Sequence, residues 1–543
     1  MSLSSQFVAA SIVGIIAHHA VFKEGEWHMK APILTKFYFS ITSAVVIGEA
    51  LYSVYYDIPN IWRGAILITI TTLSLFASII FYRIFFHRDR RFPGPFLAGV
   101  TKLWHTFHCA GAQNHLVVEK LHRKYGDFVR TGPAEITIFH PEAISKFDGP
   151  GNKCSKAVWY DFLLPHVGVN TMRNKTFHDQ RRRVWTKGLS TTEIAIYESH
   201  IASQVKDLDE IISDMATRQE SVDFTKYSYF FSFDVMGLFV FSRSFDMLHK
   251  NEWHYIIATM RKAMKLLGLF SSVPWLAQIG LKLFNGYGVI RDWHAMIKWC
   301  EDRMAEYVQK DQTTHDIASW LVADSKKRNT VEEDHHLLTG DSIVAIIAGS
   351  DTVAPTMVFL FYELLRHPVQ AEKLYQELQA VELMDAKALR DLPHLNAVIK
   401  ETLRLHPAVP TGGYRDTPPE GMTIGGTYIP GNTTMVAPRY VLHRLESCYV
   451  HADRWIPERW SSSPELVKDA RSFHPFSQGR YTCLGKELAM TELRMVTAQL
   501  ISKYYIRTAP GTDPSCVERD MRDQFTATPG NLHLIFGHRE KRC

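Results

Sequence analysis

Residues 476–485, with the sequence FSQGRYTCLG, decide the interpretation of this chain, because they place one cysteine between two glycines directly before a helical pattern. The residues that follow, KELAMTELRMVTAQLI, predict a helix. Gly479 and Gly485 permit a tight loop whose backbone lies close to a bulky planar group. Nearby N–H groups and the helix N-terminus favour the thiolate of Cys483, and such a thiolate can bind heme iron. Taken alone, the segment also fits a buried free cysteine before a helix.

A second informative segment, AGSDT at residues 348–352, lies in the middle of a long apolar helical pattern. An acid and a glycine are unfavourable there unless they have a purpose. Pro355 lacks the N–H that would bond the carbonyl of Asp351, so we expect the helix to kink there. Asp351 and Thr352 are therefore candidates for relaying protons. The alternative is a polar surface patch with an incidental kink.

A third pattern pairs Glu401 with Arg404 on one helix face, and the later segment WIPERW supplies Arg459 as a second arginine for the same acid. Taken alone, such i, i+3 pairs are common and usually exposed.

In this order along one chain, the three patterns resemble the cytochrome P450 family. Phe476, Gly479, Cys483 and Gly485 fall on the fixed places of the family pattern FxxGxRxCxG, and AGSDT resembles its oxygen-activation motif. Glu401, Arg404 and Arg459 resemble its structural ExxR–PER network. Tyr481 departs from the pattern, because it stands where the family usually has Arg or His, and Arg480 lies one residue earlier.

The resemblance implies a mainly α fold with small β-sheets, and heme b bound through Cys483 as the iron ligand. Asp351 and Thr352 would deliver protons, whereas Glu401, Arg404 and Arg459 would have a structural role. The residues that the resemblance assigns to cofactor binding beside the cysteine loop are His178 and Arg182, in a WxxxR-like helix with His in place of Trp, together with Arg415 and Arg480.

The implied activity is insertion of one oxygen atom from dioxygen into a hydrophobic small molecule, with electrons from NADPH. NADPH–cytochrome P450 reductase would deliver them, with cytochrome b5 as an optional second donor. Several features resemble filamentous-fungal members, which modify secondary metabolites such as terpenoids, polyketides and indole alkaloids. Two alternatives stay open: a reductase-independent isomerase or dehydratase, and a non-enzymatic membrane sensor or carrier of heme.

Residues 1–88 predict a membrane anchor of one to three transmembrane helices, with apolar segments near 3–22, 37–56 and 64–86. Residues 64–82 carry no charge, whereas His18, His19 and Glu49 interrupt the other two segments. Basic residues after the third segment indicate its cytosolic end. We therefore expect a basic, Pro-Gly hinge at 89–95 and a cytosolic catalytic domain at 96–543, held at the endoplasmic reticulum membrane.

Composition excludes several other classes of protein. The 543 residues are 46% hydrophobic and 22% charged, with a formal net charge of +5, which argues against a disordered chain and against nucleic-acid binding. The seven cysteines are widely spaced without a CxxC pair, which indicates a reducing compartment. Histidines cluster only as the pairs His18–His19 and His335–His336, without an HExxH motif, so the sequence predicts no His-ligated metal.

Periodicity predicts a chain that is mainly helical. The clearest helices are expected at 192–214, 253–264, 293–310, 341–366 and 486–503, and the strand-like runs are 128–139, 422–428 and 532–536.

Overall fold

The computed structural model describes residues 2–56, 62–270, 272–310 and 315–539. Its α-helices are α1 (Leu3–Ala17), α2 (Ala31–Tyr56), α3 (Arg63–Phe85), α4 (Phe96–Val100), α5 (Leu103–His108), α6 (Asn114–Tyr125), α7 (Ala143–Asp148), α8 (Lys175–Lys187), α9 (Thr191–Thr217), α10 (Phe224–Phe241), α11 (Met247–Lys250), α12 (Tyr255–Phe270), α13 (Pro274–Leu283), α14 (Gly288–Gln309), α15 (Ile317–Arg328), α16 (His335–Arg366), α17 (Pro368–Leu378), α18 (Ala386–Arg390), α19 (Pro393–Leu405), α20 (Arg439–Leu442), α21 (Lys486–Lys503) and α22 (Cys516–Arg519).

The strands are short. They are β1 (Phe128–Gly132), β2 (Glu135–Ile138), β3 (Ser155–Lys156), β4 (Val222–Asp223), β5 (Arg415–Asp416), β6 (Met422–Ile424), β7 (Thr427–Ile429), β8 (Thr434–Val436), β9 (Tyr504–Thr508), β10 (Arg522–Gln524), β11 (Thr526–Thr528) and β12 (His533–His538). Among the described residues they form a five-stranded sheet in the order β1-β2-β8-β5-β3, a three-stranded sheet β4-β12-β9, and the hairpins β6-β7 and β10-β11. The mainly α fold with small sheets is confirmed.

The predicted helices agree with the observed ones in place, with small differences at their ends. The helix at 486–503 has the predicted limits, and α16 begins six residues before the predicted 341. Local signals explain several helix starts: the Asn174 side chain accepts a hydrogen bond from the Phe177 amide at the start of α8, and α13, α17 and α19 begin with proline. The run 128–139 forms the β1-β2 hairpin, and 422–428 begins the β6-β7 hairpin.

The helix α16 runs through the main hydrophobic core and packs against α10, α14 and α19. It is apolar and long enough to span a membrane, but most of it is buried in protein. It also continues as a helix through Pro355, where the sequence predicts a kink. Since Pro355 has no N–H, the carbonyl of Asp351 still lacks its i+4 donor.

Three N-terminal helices, α1 with a short π-helical extension (His18–Phe22), α2 and α3, are also long and apolar enough to span a membrane. The helices α1 and α3 run parallel, because Arg63 donates to Gln6 near their N-terminal ends and His18 is hydrogen-bonded to Ser78 near the other ends. The helix α2 runs antiparallel to them, and the carboxylate of its Glu49 accepts a hydrogen bond from the backbone amide of Gly64 in α3. The acid that interrupts the second apolar segment therefore caps the third helix.

Residues 89–95, predicted as a hinge, are packed against the catalytic body. Asp89 is completely buried and accepts a hydrogen bond from the Thr433 hydroxyl at 3.2 Å. The Arg130 amide donates to the Pro93 carbonyl at 2.8 Å, and a Cβ atom at Gly94 would lie 2.4 Å from the Arg130 carbonyl oxygen. Backbone packing this close makes the segment stiff.

Candidate functional site

The cysteine loop is closed by its own backbone and by a close contact with α7. The amide of Cys483 donates to the carbonyl of Phe476 at 2.9 Å. Gly479 has a φ of +59°, and a Cβ atom there would lie 2.0 Å from the carbonyl oxygen of Asp148. Both the backbone conformation and the available space therefore require glycine at position 479.

Gly485 is glycine for a different reason. Its φ of −85° is available to any residue, and a Cβ atom there would meet no protein atom within 4 Å. It directly precedes α21, so this space lies beside Cys483 at the helix N-terminus. The open space is what a bulky planar group next to the cysteine requires.

Cys483 differs from the other described cysteines, because its side chain is exposed. Cys109, Cys154, Cys300 and Cys448 are buried and Cys516 is half-buried, whereas Cys543 lies outside the described residues. Burial nevertheless raises the pKa of the Cys483 thiol, and the Gly485 amide, Arg182 and Lys486 oppose this effect only in part. The thiol is accessible, yet the surrounding protein shields it from bulk water. It therefore opens into a space that protein encloses. Of the groups that favour the thiolate, the Gly485 amide beside the helix N-terminus has the largest effect, and a bound metal ion would favour the thiolate further.

Cationic side chains gather next to the cysteine loop, around the ring of Tyr481. The Lys156 ammonium lies 5.0 Å from the ring centroid and the Arg415 guanidinium 4.4 Å from it. Arg182 donates to the carbonyl of Thr482 at 2.8 Å, and the His178 ring packs edge-on against Tyr481. The aromatic side chain that replaces the family's usual Arg is thus the centre of a basic cluster.

The predicted cofactor-binding residues divide into two groups. His178, Arg182 and Arg415 belong to the basic cluster. Arg480 instead forms an ion pair with Asp179, and its cofactor contact stays a prediction. Burial, followed by the charge of Lys156, lowers the pKa of His178 to about 4, so this ring is neutral near pH 7.

Sequence reasoning missed Lys156 and Arg439. Lys156 is 2% exposed and donates to the Val169 carbonyl at 3.1 Å; burial, then the Arg415 charge, lower its pKa well below the ordinary value. Arg439, also buried, donates to the carbonyls of Gly412 and His474. Neither forms an ion pair with an acid in the described part of the chain. No sequence signal marks them, because β3 and α20 reach the cluster only in the folded chain.

The charges of this cluster do not balance. Among the described residues, the one buried acid that pairs with these cations is Asp148, at 2.7 Å from Arg415; the cations are Lys156, Arg182, Arg415 and Arg439. Buried cations without counter-charges are costly, so the cluster fits a ligand that carries carboxylates. An accessible cysteine, an open space at Gly485 and an unbalanced basic cluster together fit a heme group whose iron is bound by Cys483.

On α16, Val344, Ala348 and Thr352 form an accessible stripe at four-residue spacing along a helix that is otherwise mostly buried. The Thr352 hydroxyl donates to the Ala348 carbonyl at 2.7 Å. Gly349 lies beside this stripe, and a Cβ atom there would be 2.3 Å from the sulfur of Met236. The glycine that seemed unfavourable in the sequence therefore allows α16 to pack closely against α10.

Asp351 is 8% exposed, and burial raises its pKa to about 6, opposed by the charge of Arg261. The Arg261 guanidinium lies over the rings of Tyr229 and Trp253, with 4.0 Å and 4.5 Å to the centroids. A carboxyl with this pKa exchanges protons readily near neutral pH.

Glu401, Arg404 and Arg459 meet in a fully buried network. Arg404 makes two hydrogen bonds to the Glu401 carboxylate, at 2.8 and 2.9 Å, and Arg459 donates to the same carboxylate at 2.8 Å. Arg404 also donates to the carbonyls of His443, Ala452 and Arg454. The network thus joins α19 to the chain that follows α20.

Aromatic side chains line a space next to the basic cluster. Trp159 stacks on Phe525 with 4.4 Å between ring centroids, and on Tyr414 with 5.5 Å. Trp159, Tyr414 and Phe525 come from three separate segments of the chain. The result is an apolar wall formed by residues that are distant in sequence.

Comparisons with known proteins agree with this architecture. Residues 93–536 match the family model described as Cytochrome P450. Tryprostatin B 6-hydroxylase of Aspergillus fumigatus is 33% identical over 516 residues, covering 93% of this chain and 91% of that protein. The cytochrome P450 monooxygenase FCK2 of Fusarium pseudograminearum is 34% identical over 547 residues, covering 97% of each. The crystal structure of the cytochrome P450DA heme domain has the same fold, with a TM-score of 0.66 at 17% identity over 80% of this chain and 95% of that one.

Proposed function

Because this chain belongs to the cytochrome P450 family, whose matched relatives are fungal monooxygenases of secondary metabolism, we propose that it inserts one oxygen atom into a hydrophobic small molecule of such a pathway. The observation that carries the proposal is the accessible Cys483 thiol in an enclosed space, next to a basic cluster and an apolar wall. Asp351 and Thr352 supply the groups for proton delivery.

Cys483 binds the heme iron in this proposal, and Lys156, Arg182, Arg415 and Arg439 hold the heme carboxylates. Bound heme b supplies the activation of dioxygen. The thiolate of Cys483 would be the iron ligand through which the protein favours this chemistry. Gly479 keeps the loop in place, and Gly485 leaves room beside the ligand.

Asp351 and Thr352 move protons at defined atoms. The Asp351 carboxyl takes up a proton at its carboxylate oxygen and can release it near neutral pH, since its pKa is about 6. The Thr352 hydroxyl, which donates to Ala348, can turn toward the accessible side of α16 and hold a water molecule there. The carbonyl of Asp351, without a donor at Pro355, accepts a second hydrogen bond from that water.

The substrate contacts the apolar wall of Trp159, Tyr414 and Phe525 and the accessible face of α16. An apolar wall of this kind excludes water and selects a hydrophobic ligand. Terpenoids, polyketides and indole alkaloids all have this character. One relative is named for hydroxylation of tryprostatin B at position 6, and the position oxidised by this chain follows from how its own aromatic wall orients the ligand.

Electrons come from NADPH through NADPH–cytochrome P450 reductase, with cytochrome b5 as an optional second donor. The helix α8 supports this arrangement, because Arg181 is buried and Arg182 turns to the cysteine loop, whereas Arg183 and Lys187 are exposed. Exposed cations on the heme-side helix suit an acidic redox partner.

The first test is the difference spectrum of reduced, carbon-monoxide-treated membranes with wild type and Cys483→His. We expect a far-red-shifted Soret band in wild type alone. The imidazole-type band in both would refute thiolate ligation and favour a heme sensor or carrier. Product formation without NADPH and reductase, from a peroxide substrate, would instead favour the isomerase or dehydratase.

We further propose that residues 1–88 form a three-helix anchor in the endoplasmic reticulum membrane, with residues 96–543 as the cytosolic catalytic domain. The loop between α1 and α2 supports three spans, because it contacts the catalytic body. Arg173 pairs with Glu26 of that loop at 2.6 Å, and His28 pairs with Asp161 at 2.9 Å. The loop must then lie on the cytosolic side, and the parallel α1 and α3 start on the opposite side.

Labelling of an introduced cysteine tests the number of spans. In sealed microsomes, a membrane-impermeant maleimide should label Glu24→Cys in the α1–α2 loop above the background of the parent protein. Protection of that cysteine until detergent is added would contradict three spans and favour a single span by α3.

A further inference from the structure

Three side chains from distant parts of the sequence converge beside the first turn of α16. His166 follows a 3-10 helix (Val158–Leu163), Glu301 lies on α14, and His336 is the second residue of α16. One ligand atom from each, two ring nitrogens and a carboxylate oxygen, lie within 4.8 Å of one another. The Nδ1 atoms of His166 and His336 are 3.3 Å apart.

This spacing is that of two ligands on one metal ion. Nitrogen ligands at about 2.0–2.1 Å from a tetrahedral zinc ion are separated by roughly 3.3–3.4 Å. Two imidazoles and one carboxylate form a ligand set that suits borderline transition metals such as zinc better than calcium or magnesium. The two rings therefore need little movement to bind one ion.

The segment that carries His166 is docked rigidly on α16. A Cβ atom at Gly340 would lie 2.5 Å from the carbonyl carbon of Val167, and one at Gly168 would lie 2.7 Å from the carbonyl oxygen of Gly340. The amide of Val169 donates to the Asp341 carboxylate at 2.6 Å. Since Gly340 is one helical turn after His336, this packing fixes His166 opposite His336. Such support from neighbouring contacts is what a preorganised metal site requires.

Glu301 completes the cluster from α14. It is half-buried, follows the fully buried Cys300, and makes no ion pair with a lysine or arginine within the described ranges.

Two other groups of three potential ligands occur among the described residues, but each already contains a cation. Arg173 pairs with Glu26 and Asp161 in one, and Arg366 lies beside Glu363 and Glu518 in the other. Of these three groups among the described residues, the cluster of His166, Glu301 and His336 is the one that contains no ion pair with lysine or arginine.

We propose that His166, Glu301 and His336 bind one divalent transition-metal ion of the zinc class, with water completing its coordination. The ion joins the segment after Trp159 to α14 and α16. It therefore fixes one wall of the apolar space from the outside, which goes beyond the proposed monooxygenase activity and does not depend on it.

The test measures zinc content of the detergent-solubilised, heme-loaded full-length protein after equilibrium dialysis against micromolar zinc. Wild type should retain one zinc per chain through this site, and His336→Gln and Glu301→Gln should bind it at least about tenfold more weakly. Matched controls are His335→Gln, the neighbouring histidine, and Glu306→Gln, an exposed acid on the same helix. Both controls should bind zinc as wild type does.

Thermal unfolding gives a second measurement that does not use activity. Added zinc should raise the melting temperature of wild type and of both controls, and leave those of His336→Gln and Glu301→Gln unchanged. Because Glu301 is only half-buried, Glu301→Gln should fold. It therefore still tests the proposal if His336→Gln folds poorly. Absence of bound zinc in wild type, or equal zinc binding by wild type and Glu301→Gln, would overturn the proposal.

Discussion

Replacement of Lys156 by methionine should have opposite effects on the heme-free and heme-loaded proteins. Lys156 is 2% exposed, lies next to Arg415, and forms no ion pair with an acid among the described residues. Its burial without a counter-charge costs free energy when heme is absent. When heme is present, we expect the ammonium to bind a heme carboxylate, and the same burial then becomes favourable.

The expected magnitude follows from the contact that is lost. A hydrogen bond to a charged group contributes about 1.5–3 kcal/mol. Since about 1.4 kcal/mol corresponds to a tenfold change, heme should dissociate roughly 10 to 150 times faster from Lys156→Met. The heme-free protein should be as stable as wild type or more stable, because methionine fills similar volume without a charge.

Transfer of heme to an excess of apomyoglobin measures the dissociation rate, and urea unfolding measures the stability of the heme-free protein. The control is Lys153→Met, three residues earlier, where an exposed lysine pairs with Glu420 at 2.9 Å. It should change neither quantity appreciably. If Lys156→Met loses heme at the wild-type rate, or destabilises the heme-free protein, the assignment of Lys156 to the heme carboxylates is refuted.

Three further predictions concern other buried groups. Asp351→Asn should reduce the product formed per NADPH consumed. It should also raise the free energy of unfolding by about 3 kcal/mol at pH 7, because burial raises the pKa of Asp351 from 3.8 to about 6. This gain in stability should vanish below about pH 4, where the carboxyl is protonated in both the folded and the unfolded state. Glu401→Gln should cost about 3–5 kcal/mol and lower the yield of folded heme protein, because Arg404 and Arg459 lose their buried partner. Glu458→Gln, at a half-buried acid that pairs with the exposed Lys373, should cost much less by the same measure. Tyr481→Arg should weaken heme retention by repelling Lys156 and Arg415, and the double variant with Lys156→Met should recover it, as measured by heme content.

The helices and hairpins were predictable because their apolar spacing is a local property of the sequence. The helix α21 has the expected limits, and the run 128–139 forms the expected hairpin. The helix α2 begins at Ala31, before the apolar segment predicted from residue 37. The prediction started late because the first two turns of α2 include Pro32 and Lys36, which hydropathy alone does not mark as membrane-spanning. The hinge at 89–95 stays a prediction: Pro and Gly set its local backbone, and contacts of Asp89 and Gly94 with residues far along the chain, which the sequence does not reveal, hold it stiffly.

The candidate site was predictable where one segment contains its residues. The cysteine loop and the Asp351–Thr352 pair each lie in one short segment with residue types that need an explanation. Lys156 and Arg439 could not be found in this way, because an isolated Lys or Arg is ordinary in sequence and becomes unusual only when it is buried without an acid. The Arg480 contact was assigned from its place near the cysteine, whereas the fold turns it to Asp179.

The basic cluster also explains how this chain tolerates tyrosine at position 481. An arginine there would add a cation to a space already occupied by Lys156 and Arg415, which lie against the tyrosine ring. The Tyr481 ring accommodates both cations through its π face. Its hydroxyl can donate a hydrogen bond to a carboxylate. We therefore propose that Lys156 of β3, whose ammonium lies 5.0 Å from the centroid of the same ring, supplies the positive charge that the family usually places two residues before the cysteine. A chain with Lys156 and Tyr481 and a chain with arginine at position 481 would be two solutions to one electrostatic requirement, and the double variant Lys156→Met/Tyr481→Arg converts the first into the second.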